Sequence, residues 1–198
     1  MLKLPRMEEK NNLKPDSLLK KIKDNVIEFL KFAFIAVVIV LPIRMFIAQP
    51  FIVSGLSMFP TFNDGEYLII DELSYNLGTA HRNDVVVFHY PNDKKKYFIK
   101  RIIGLPNETI VINNGEITIK NAQFPDGFKL EQDYIKEKFS TTGTYTTGPD
   151  DYFVMGDNRN FSSDSRAWGT LPKKLLVGRA FLRLLPLDHI SYLPGKIN

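Results

Sequence analysis

The chain has 198 residues, of which 44% are hydrophobic and 24% charged, enough for one sizeable domain with an appendage. It contains no cysteine, which excludes disulfides, thiolate zinc sites and a cysteine nucleophile. The net charge of +4 is too small and too dispersed to indicate a nucleic-acid partner. The three histidines lack metal-ligand spacing, so the sequence predicts no metal site and no cofactor.

An apolar run dominates the N-terminal part of the chain. Residues 32–43 read FAFIAVVIVLPI and lie between Lys31 and Arg44. A bilayer core needs about 20 helical residues, and residues 29–48 supply that length. Basic residues concentrate before this run, so the positive-inside rule places the N-terminus in the cytoplasm.

Two alternatives compete with a membrane anchor. A buried core helix is disfavoured because the run has no polar face. A cleaved signal peptide is disfavoured because Phe46, two residues before the small Ala48, is too bulky for a cleavage site. We therefore predict a single-pass protein of the inner or plasma membrane. Its predicted parts are a polar cytoplasmic leader (1–28), a transmembrane anchor (29–48) and an extracytoplasmic domain (49–198).

From residue 51 onward, short β-type runs alternate with turn signals, which predicts a mainly β domain. The predicted strands are 66–72, 85–90, 97–104, 109–112, 116–119, 151–156 and 176–186. Between the fourth and fifth strands, residues 113–115 read Asn-Asn-Gly, which predicts a tight hairpin because Asn and Gly accept positive φ. The polar segment PNDKKK (91–96) is predicted as a turn, and residues 121–149 as an irregular surface excursion.

Ser57 is the first candidate for chemistry. It lies in the segment SGLSMFPTF, residues 54–62. Gly55 permits unusual φ values, and Pro60 restricts both itself and the preceding residue. The segment thus predicts an exposed serine on a rigid bend, as a nucleophile requires. An ordinary polar turn is the alternative.

Lys100 is the second candidate, inside the apolar run YFIKRIIG (97–104). Period-two alternation places it on one face with Phe98 and Ile102, and Arg101 on the other. Burial would lower the pKa of the lysine, and a neutral amine could accept the proton of a serine. Arginine could not do this because it stays charged. A lysine that reaches solvent from an edge strand is the alternative.

The third segment, MGDNRNFSSDSRAWG (155–169), is dense in Gly, Asp, Asn, Ser and Arg. These side chains favour hydrogen bonds to each other and to the backbone, which predicts a rigid polar loop. A surface turn is the alternative, and Met155 and Trp168 at the two ends weigh against it.

Together these segments resemble the type I signal peptidase family over residues 29–186. After the anchor, the matching motifs come in order: S-G-x-S-M-x-P-T at 54–61, R-x-D-V-V-V-F at 82–88, K-R-I-I-G-L-P at 100–106 and G-D-N-R-x-x-S-x-D-S-R at 156–166. The resemblance implies a β-barrel or β-sandwich domain. It also implies a membrane-bound serine endopeptidase that removes signal peptides from exported preproteins after small-x-small sites such as Ala-x-Ala.

The resemblance also implies residue roles. Ser57 would be the nucleophile that forms an acyl-enzyme, with Lys100 as its general base. Ser162 would supply the hydroxyl that orients the lysine amine. Asp164 and Arg166 would form a structural ion pair beneath the site.

The Ser57 amide is the expected oxyanion donor. Some members of the family carry a second donor, a serine two residues before the nucleophile. Gly55 stands at that position here, so the second donor stays unassigned.

The resemblance implies two partners, preprotein signal peptides and the lipid bilayer. The substrate is expected as an added strand between residues 51–54 and 97–100. Six residues are predicted to line its pockets, with plain core packing as the alternative for each: Ile52, Val53, Met58, Phe62, Phe98 and Ile99.

Two other functions compete with this one. A self-cleaving Ser-Lys protease of the SOS-repressor type shares the dyad, but the anchor and the G-D-N-R segment argue against it. A non-catalytic, membrane-tethered β module would be expected to lose Ser57, Lys100 or Ser162, and all three are present.

Overall fold

The computed structural model describes residues 15–46 and 48–197, and the chain divides into two compact units, Met1–Ile43 and Arg44–Asn198. Residues 1–14, the first half of the predicted leader, lie outside the described residues.

The described residues of the N-terminal unit, 15–43, belong to helix α1, Pro15–Phe46. Proline is favoured at the first helical position because its missing N–H has no intrahelical partner there. Residues 15–28, predicted as part of a loose leader, are helical, because their leucines and lysines are good helix formers. The predicted anchor is helical through Phe46. Among the residues whose side chains are described, no helix is both long and apolar enough to cross a membrane.

The C-terminal unit is built from β-strands, which confirms the prediction of a mainly β fold. Within residues 48–197 the strands are β1 (Ala48–Ile52), β2 (Tyr67–Asp71), β3 (Val85–Tyr90), β4 (Asp93–Gly104), β5 (Thr109–Asn113), β6 (Glu116–Lys120), β7 (Phe128–Lys129), β8 (Gly143–Thr146), β9 (Asp151–Met155), β10 (Leu171–Pro172), β11 (Leu176–Leu185) and β12 (Ser191–Tyr192). Helices α2 (Leu73–Leu77) and α3 (Ser165–Trp168) and two 3₁₀ turns, Lys173–Leu175 and Leu187–His189, complete it.

The strands form two antiparallel sheets. The larger has the order β1-β2-β11-β3-β4-β9-β10, and β12 also pairs with β11. The smaller has the order β7-β6-β5-β8. The predicted hairpin is present between β5 and β6, where Asn114 and Gly115 have φ values of 46° and 85°.

Two segments differ from the predictions. Residues 121–149 are more than a surface excursion, because they supply β7 and β8, and Leu130 and Phe139 are buried in the core. The lysine run predicted as a turn lies inside β4, which begins at Asp93. An irregularity in the β3–β4 pairing after His89 lets the strand begin this early.

Three hydrophobic clusters form the core of the C-terminal unit. One fills the space under the smaller sheet and includes Ile110, Ile119 and Phe153. A second joins β2 and β3 to the segment around Ser57, and a third lies beneath β3 and β9. The larger sheet thus holds the first two candidate segments against one core, and this packing positions the site.

Candidate active site

The segment that carries Ser57 is anchored by the apolar residues on either side of it. Met58 is 1% exposed and Phe62 0% exposed, and both pack in the core cluster that contains Leu68. Gly55 has a φ of 88°, the left-handed conformation that glycine adopts without strain. Ser57 is therefore held on a fixed bend, and it is half-buried where the sequence predicts an exposed serine.

Lys100 lies in the middle of β4 and is 4% exposed. Its Nζ donates to Ser57 Oγ at 2.7 Å and to the Ile99 carbonyl oxygen at 2.8 Å. Burial lowers the pKa of Lys100 from 10.5 to about 8, although the carboxylates of Asp164 and Asp157 favour its charged form. About a tenth of the amine is thus neutral at pH 7, beside a serine hydroxyl.

Ser162 does not contact the lysine in the way the resemblance implies. Among the described residues its Oγ is buried and has no hydrogen-bond partner. The second partner of Lys100 Nζ is the Ile99 carbonyl instead. A Cβ added to Gly156 would collide with both Ser162 Oγ and the Ser57 carbonyl oxygen, so Ser162 lies close to the nucleophile segment.

Asp164 and Arg166 form the ion pair that the resemblance implies, at 2.8 Å, with Asp164 fully buried. The Asp164 carboxylate also accepts from the Gly156 amide at 3.0 Å, and it caps α3 by accepting from the Arg166 amide at 3.2 Å. These bonds close the polar loop 155–169 on itself, and they place a negative charge near Lys100.

A second buried ion pair was not predicted from the sequence. Arg101 and Asp157 are both 0% exposed at their side chains, and they contact through two bonds of 2.8 and 2.6 Å. Thr61 Oγ1 donates to the same carboxylate at 2.6 Å. Asp157 therefore ties the Ser57 segment, β4 and the polar loop together. An arginine next to a lysine within an apolar strand was the available signal.

A cavity of about 390 Å³ lies beside Ser57 and Lys100. β1 is an edge strand of the larger sheet, and β4 pairs with β9 only from Arg101 onward. Among the described strands, β1 and the part of β4 before Arg101 therefore each have a free edge. Thirteen residues line the cavity: Phe51, Ile52, Val53, Ser54, Ser57, Leu68, Val87, Lys96, Tyr97, Phe98, Ile99, Lys100 and Ser163.

Four of the six predicted pocket residues are in this lining: Ile52, Val53, Phe98 and Ile99. Met58 and Phe62 lie in the core instead, because the bend at Ser57 turns their side chains toward β2 and β3. Leu68, Val87 and Tyr97 line the cavity without having been predicted. Ser54 lines it too, on the exposed surface of the segment.

The Ser57 amide makes no hydrogen bond to any described backbone group outside the regular helices and strands. Its carbonyl accepts from the Asn158 amide at 3.0 Å, and the Asn158 side chain donates to Leu56 O at 3.1 Å. The polar loop thus fixes the backbone on both sides of the peptide bond that carries this amide.

Comparisons with known proteins agree with the motifs. A family model described as "Signal peptidase, peptidase S26" matches residues 26–185. "Probable signal peptidase I-1" from a Synechocystis species is 36% identical over 88% of this chain and 91% of its own length. "Signal peptidase I P" from Bacillus subtilis subsp. natto is 36% identical over 87% and 96%, respectively. A crystal structure of a signal peptidase I from Enterococcus faecalis V583 aligns with a TM-score of 0.45 at 28% identity, covering 51% of this chain and 96% of that one.

The matched region takes in all four motifs and both members of the Ser57–Lys100 pair. It argues against the SOS-repressor alternative, and the resemblance inferred from the motifs is confirmed. The family model spans most of this chain, and two relatives are more than a third identical to it over nine tenths or more of their own length. The chain therefore belongs to the signal peptidase family, peptidase S26.

Proposed function

We propose that this chain is a membrane-tethered serine endopeptidase that removes signal peptides from exported preproteins, with Ser57 as nucleophile and Lys100 as general base. The observation that carries the proposal is the 2.7 Å contact between Lys100 Nζ and Ser57 Oγ, made by a lysine that is 4% exposed. Family membership supplies the reaction class.

In the first half of the reaction, neutral Lys100 accepts the proton of Ser57 as Oγ attacks the scissile carbonyl. The lowered pKa of Lys100 supports this step, because an ammonium could not accept the proton. The resulting ammonium then donates its proton to the leaving amine, and the acyl-enzyme forms. In the second half, Lys100 deprotonates a water that attacks the ester, and the proton returns to Ser57 Oγ.

The negative charge of each tetrahedral intermediate requires a hydrogen-bond donor. The Ser57 amide serves as this donor, and one such donor contributes about 3 kcal/mol in other hydrolases. Asn158 holds the carbonyl groups of Leu56 and Ser57 on either side of this amide. The amide N–H itself makes none of the described loop hydrogen bonds, which supports the assignment. The Asp164–Arg166 pair acts by holding the loop that carries Asn158, since Arg166 also donates to the Arg159 carbonyl oxygen.

The substrate binds as a strand between the free edges of β1 and β4. Its residues before the scissile bond occupy the cavity, where Ile52, Val53, Phe98 and Ile99 contact small side chains. An apolar cavity of about 390 Å³ supports a preference for small-x-small sites such as Ala-x-Ala, because a strand with bulky side chains at these positions would overfill it.

Residues 29–48 anchor the chain in the cell membrane, with residues 1–28 in the cytoplasm and residues 49–198 outside. The exposed apolar side chains of α1 support this placement, since Phe29 and Phe32 are 69% and 72% exposed. The excess of basic residues before the apolar run supports the orientation.

The test is processing of a preprotein with an Ala-x-Ala site by the full chain solubilised in non-ionic detergent. We expect Ser57→Ala and Lys100→Ala each to abolish cleavage, whereas the matched controls Ser140→Ala and Lys95→Ala, at exposed positions outside the cavity, retain it. Acid quench followed by mass spectrometry should detect the acyl-enzyme in the wild type and not in Ser57→Ala. Full activity in either dyad variant would reject the proposed mechanism.

The orientation has its own test, because the chain lacks cysteine. A membrane-impermeant maleimide should label Ser140→Cys on spheroplasts and label Ser17→Cys only after lysis. The reverse labelling would overturn the proposed topology.

A further inference from the structure

The far end of the substrate cavity is positively charged. Two charged side chains line the cavity within the described residues, Lys100 at the reacting end and Lys96 at the other, and no carboxylate lines it. Lys100 is buried and engaged with Ser57, whereas the Lys96 side chain is 67% exposed. Lys96 is therefore the solvent-accessible cation of the cavity lining.

Strand geometry gives the distance of Lys96 from the scissile bond. Lys96 precedes Lys100 by four residues, so at about 3.3 Å per residue it lies at most roughly 13 Å from Lys100 along the chain, and closer where the β3–β4 register shifts after His89. Lys96 lines the cavity together with Phe98 and Lys100, whereas the neighbouring Lys95 does not line it. A peptide strand alongside β4 advances by the same step, so its residue opposite Lys96 lies four to six positions from the scissile bond.

The charge of Lys96 is only partly balanced within the protein. Its Nζ lies 3.3 Å from Asp93 Oδ2, and the Asp93 side chain is itself 39% exposed. Exposed pairs of this kind are weak, so a substrate carboxylate can compete with Asp93 for the ammonium.

From this arrangement we infer that Lys96 is a specificity-determining residue. It favours preproteins with an acidic residue four to six positions before the scissile bond and disfavours those with lysine or arginine there. The inference rests on the proposed function, because it takes the cavity as the site of the residues before the scissile bond.

The experiment compares peptide substrates with a common Ala-x-Ala site and Asp, Ala or Lys at the fourth, fifth or sixth position before the cut. The readout is the ratio of kcat/KM for the Asp peptide to that for the Lys peptide, measured on the full chain in detergent. At the best position we expect a ratio of about five at low salt, falling toward one in 1 M NaCl, because exposed charges are screened.

Three variants locate the effect. Lys96→Glu should bring the ratio below one, and Asp93→Asn should raise it, since it releases Lys96 from its partner. The matched control Lys95→Glu makes the same charge change at an exposed neighbour that does not line the cavity, and it should leave the ratio near the wild-type value.

A wild-type ratio of one at all three positions would overturn the inference, as would an equal change in Lys95→Glu and Lys96→Glu. Either result leaves the proposed function standing, because the peptides are still cleaved. If no peptide is cleaved, the proposed function fails instead. The Asp and Lys peptides are then compared by equilibrium binding to the Ser57→Ala variant, where equal Kd values would reject the role of Lys96.

Discussion

Replacement of Lys100 by methionine should remove activity and stabilise the fold. The pKa of Lys100 falls from 10.5 to about 8 on burial, and at about 1.36 kcal/mol for each pKa unit this corresponds to roughly 3 kcal/mol of folding free energy at pH 7. Methionine has a similar length and no charge. It loses the hydrogen bonds to Ser57 Oγ and Ile99 O, at about 1 kcal/mol each. We therefore expect a net gain of about 1 kcal/mol.

The pH dependence of this gain has a definite sign. Between pH 8 and 10.5 the unfolded chain binds more protons at Lys100 than the folded chain does, so wild-type stability rises with pH across this window. The stability of Lys100→Met lacks this rise. The variant should thus be more stable than the wild type at pH 7 and less stable above pH 10.5.

The assay is urea unfolding of the detergent-solubilised chain, followed by the fluorescence of Trp168, the one tryptophan in the sequence. Its ring lies 5.9 Å from that of Phe88 in the core, so unfolding changes its surroundings. Lys95→Met is the control for loss of an exposed lysine. A variant that is less stable than the wild type at pH 7, or a stability difference that does not vary with pH, would refute the reasoning.

Three further predictions concern the same site. Wild-type kcat/KM should fall about tenfold for each pH unit below 7 and level off above pH 9, because only neutral Lys100 accepts a proton; a midpoint below pH 6 would point to another base. Asp157→Asn leaves buried Arg101 without its counter-charge, so urea unfolding should show a loss of about 3–5 kcal/mol, and a loss below 1 kcal/mol would contradict this. Gly156→Ala should lower kcat by tenfold or more, because its Cβ would collide with two serines of the site, whereas Gly148→Ala meets only a side-chain oxygen at 3.2 Å and should be active.

Much of the fold follows from local sequence patterns. The short β-type run predicted at residues 66–72 is present as β2, in which buried Leu68 and Ile70 alternate with half-buried neighbours. The β5–β6 hairpin follows from the tolerance of Asn114 and Gly115 for positive φ. Strand β8, Gly143–Thr146, has no such local signal in its short Thr- and Gly-rich sequence. It is stabilised by its pairing with β5, which is distant in the chain.

The site was less predictable where contacts join distant parts of the chain. Arg101 and Asp157 are 56 positions apart, and alternation along β4 gives the face of the arginine but not its partner. Met58 and Phe62 carry side chains suited either to a pocket or to a core, and the direction of the bend at Ser57 decides between them. Ser162 lies near the nucleophile segment, yet the orientation of its hydroxyl depends on the loop conformation.

The free edges of β1 and β4 have a consequence for the breadth of recognition. A cleft bounded by two strand edges binds a peptide through hydrogen bonds to its main-chain amide and carbonyl groups. Every residue except proline has both groups. Side chains are sampled only at alternate positions, so most of a bound sequence can vary freely. If the substrate binds as proposed, one enzyme built this way serves many unrelated exported proteins, and a peptide N-methylated at a pairing amide should lose binding whatever its side chains.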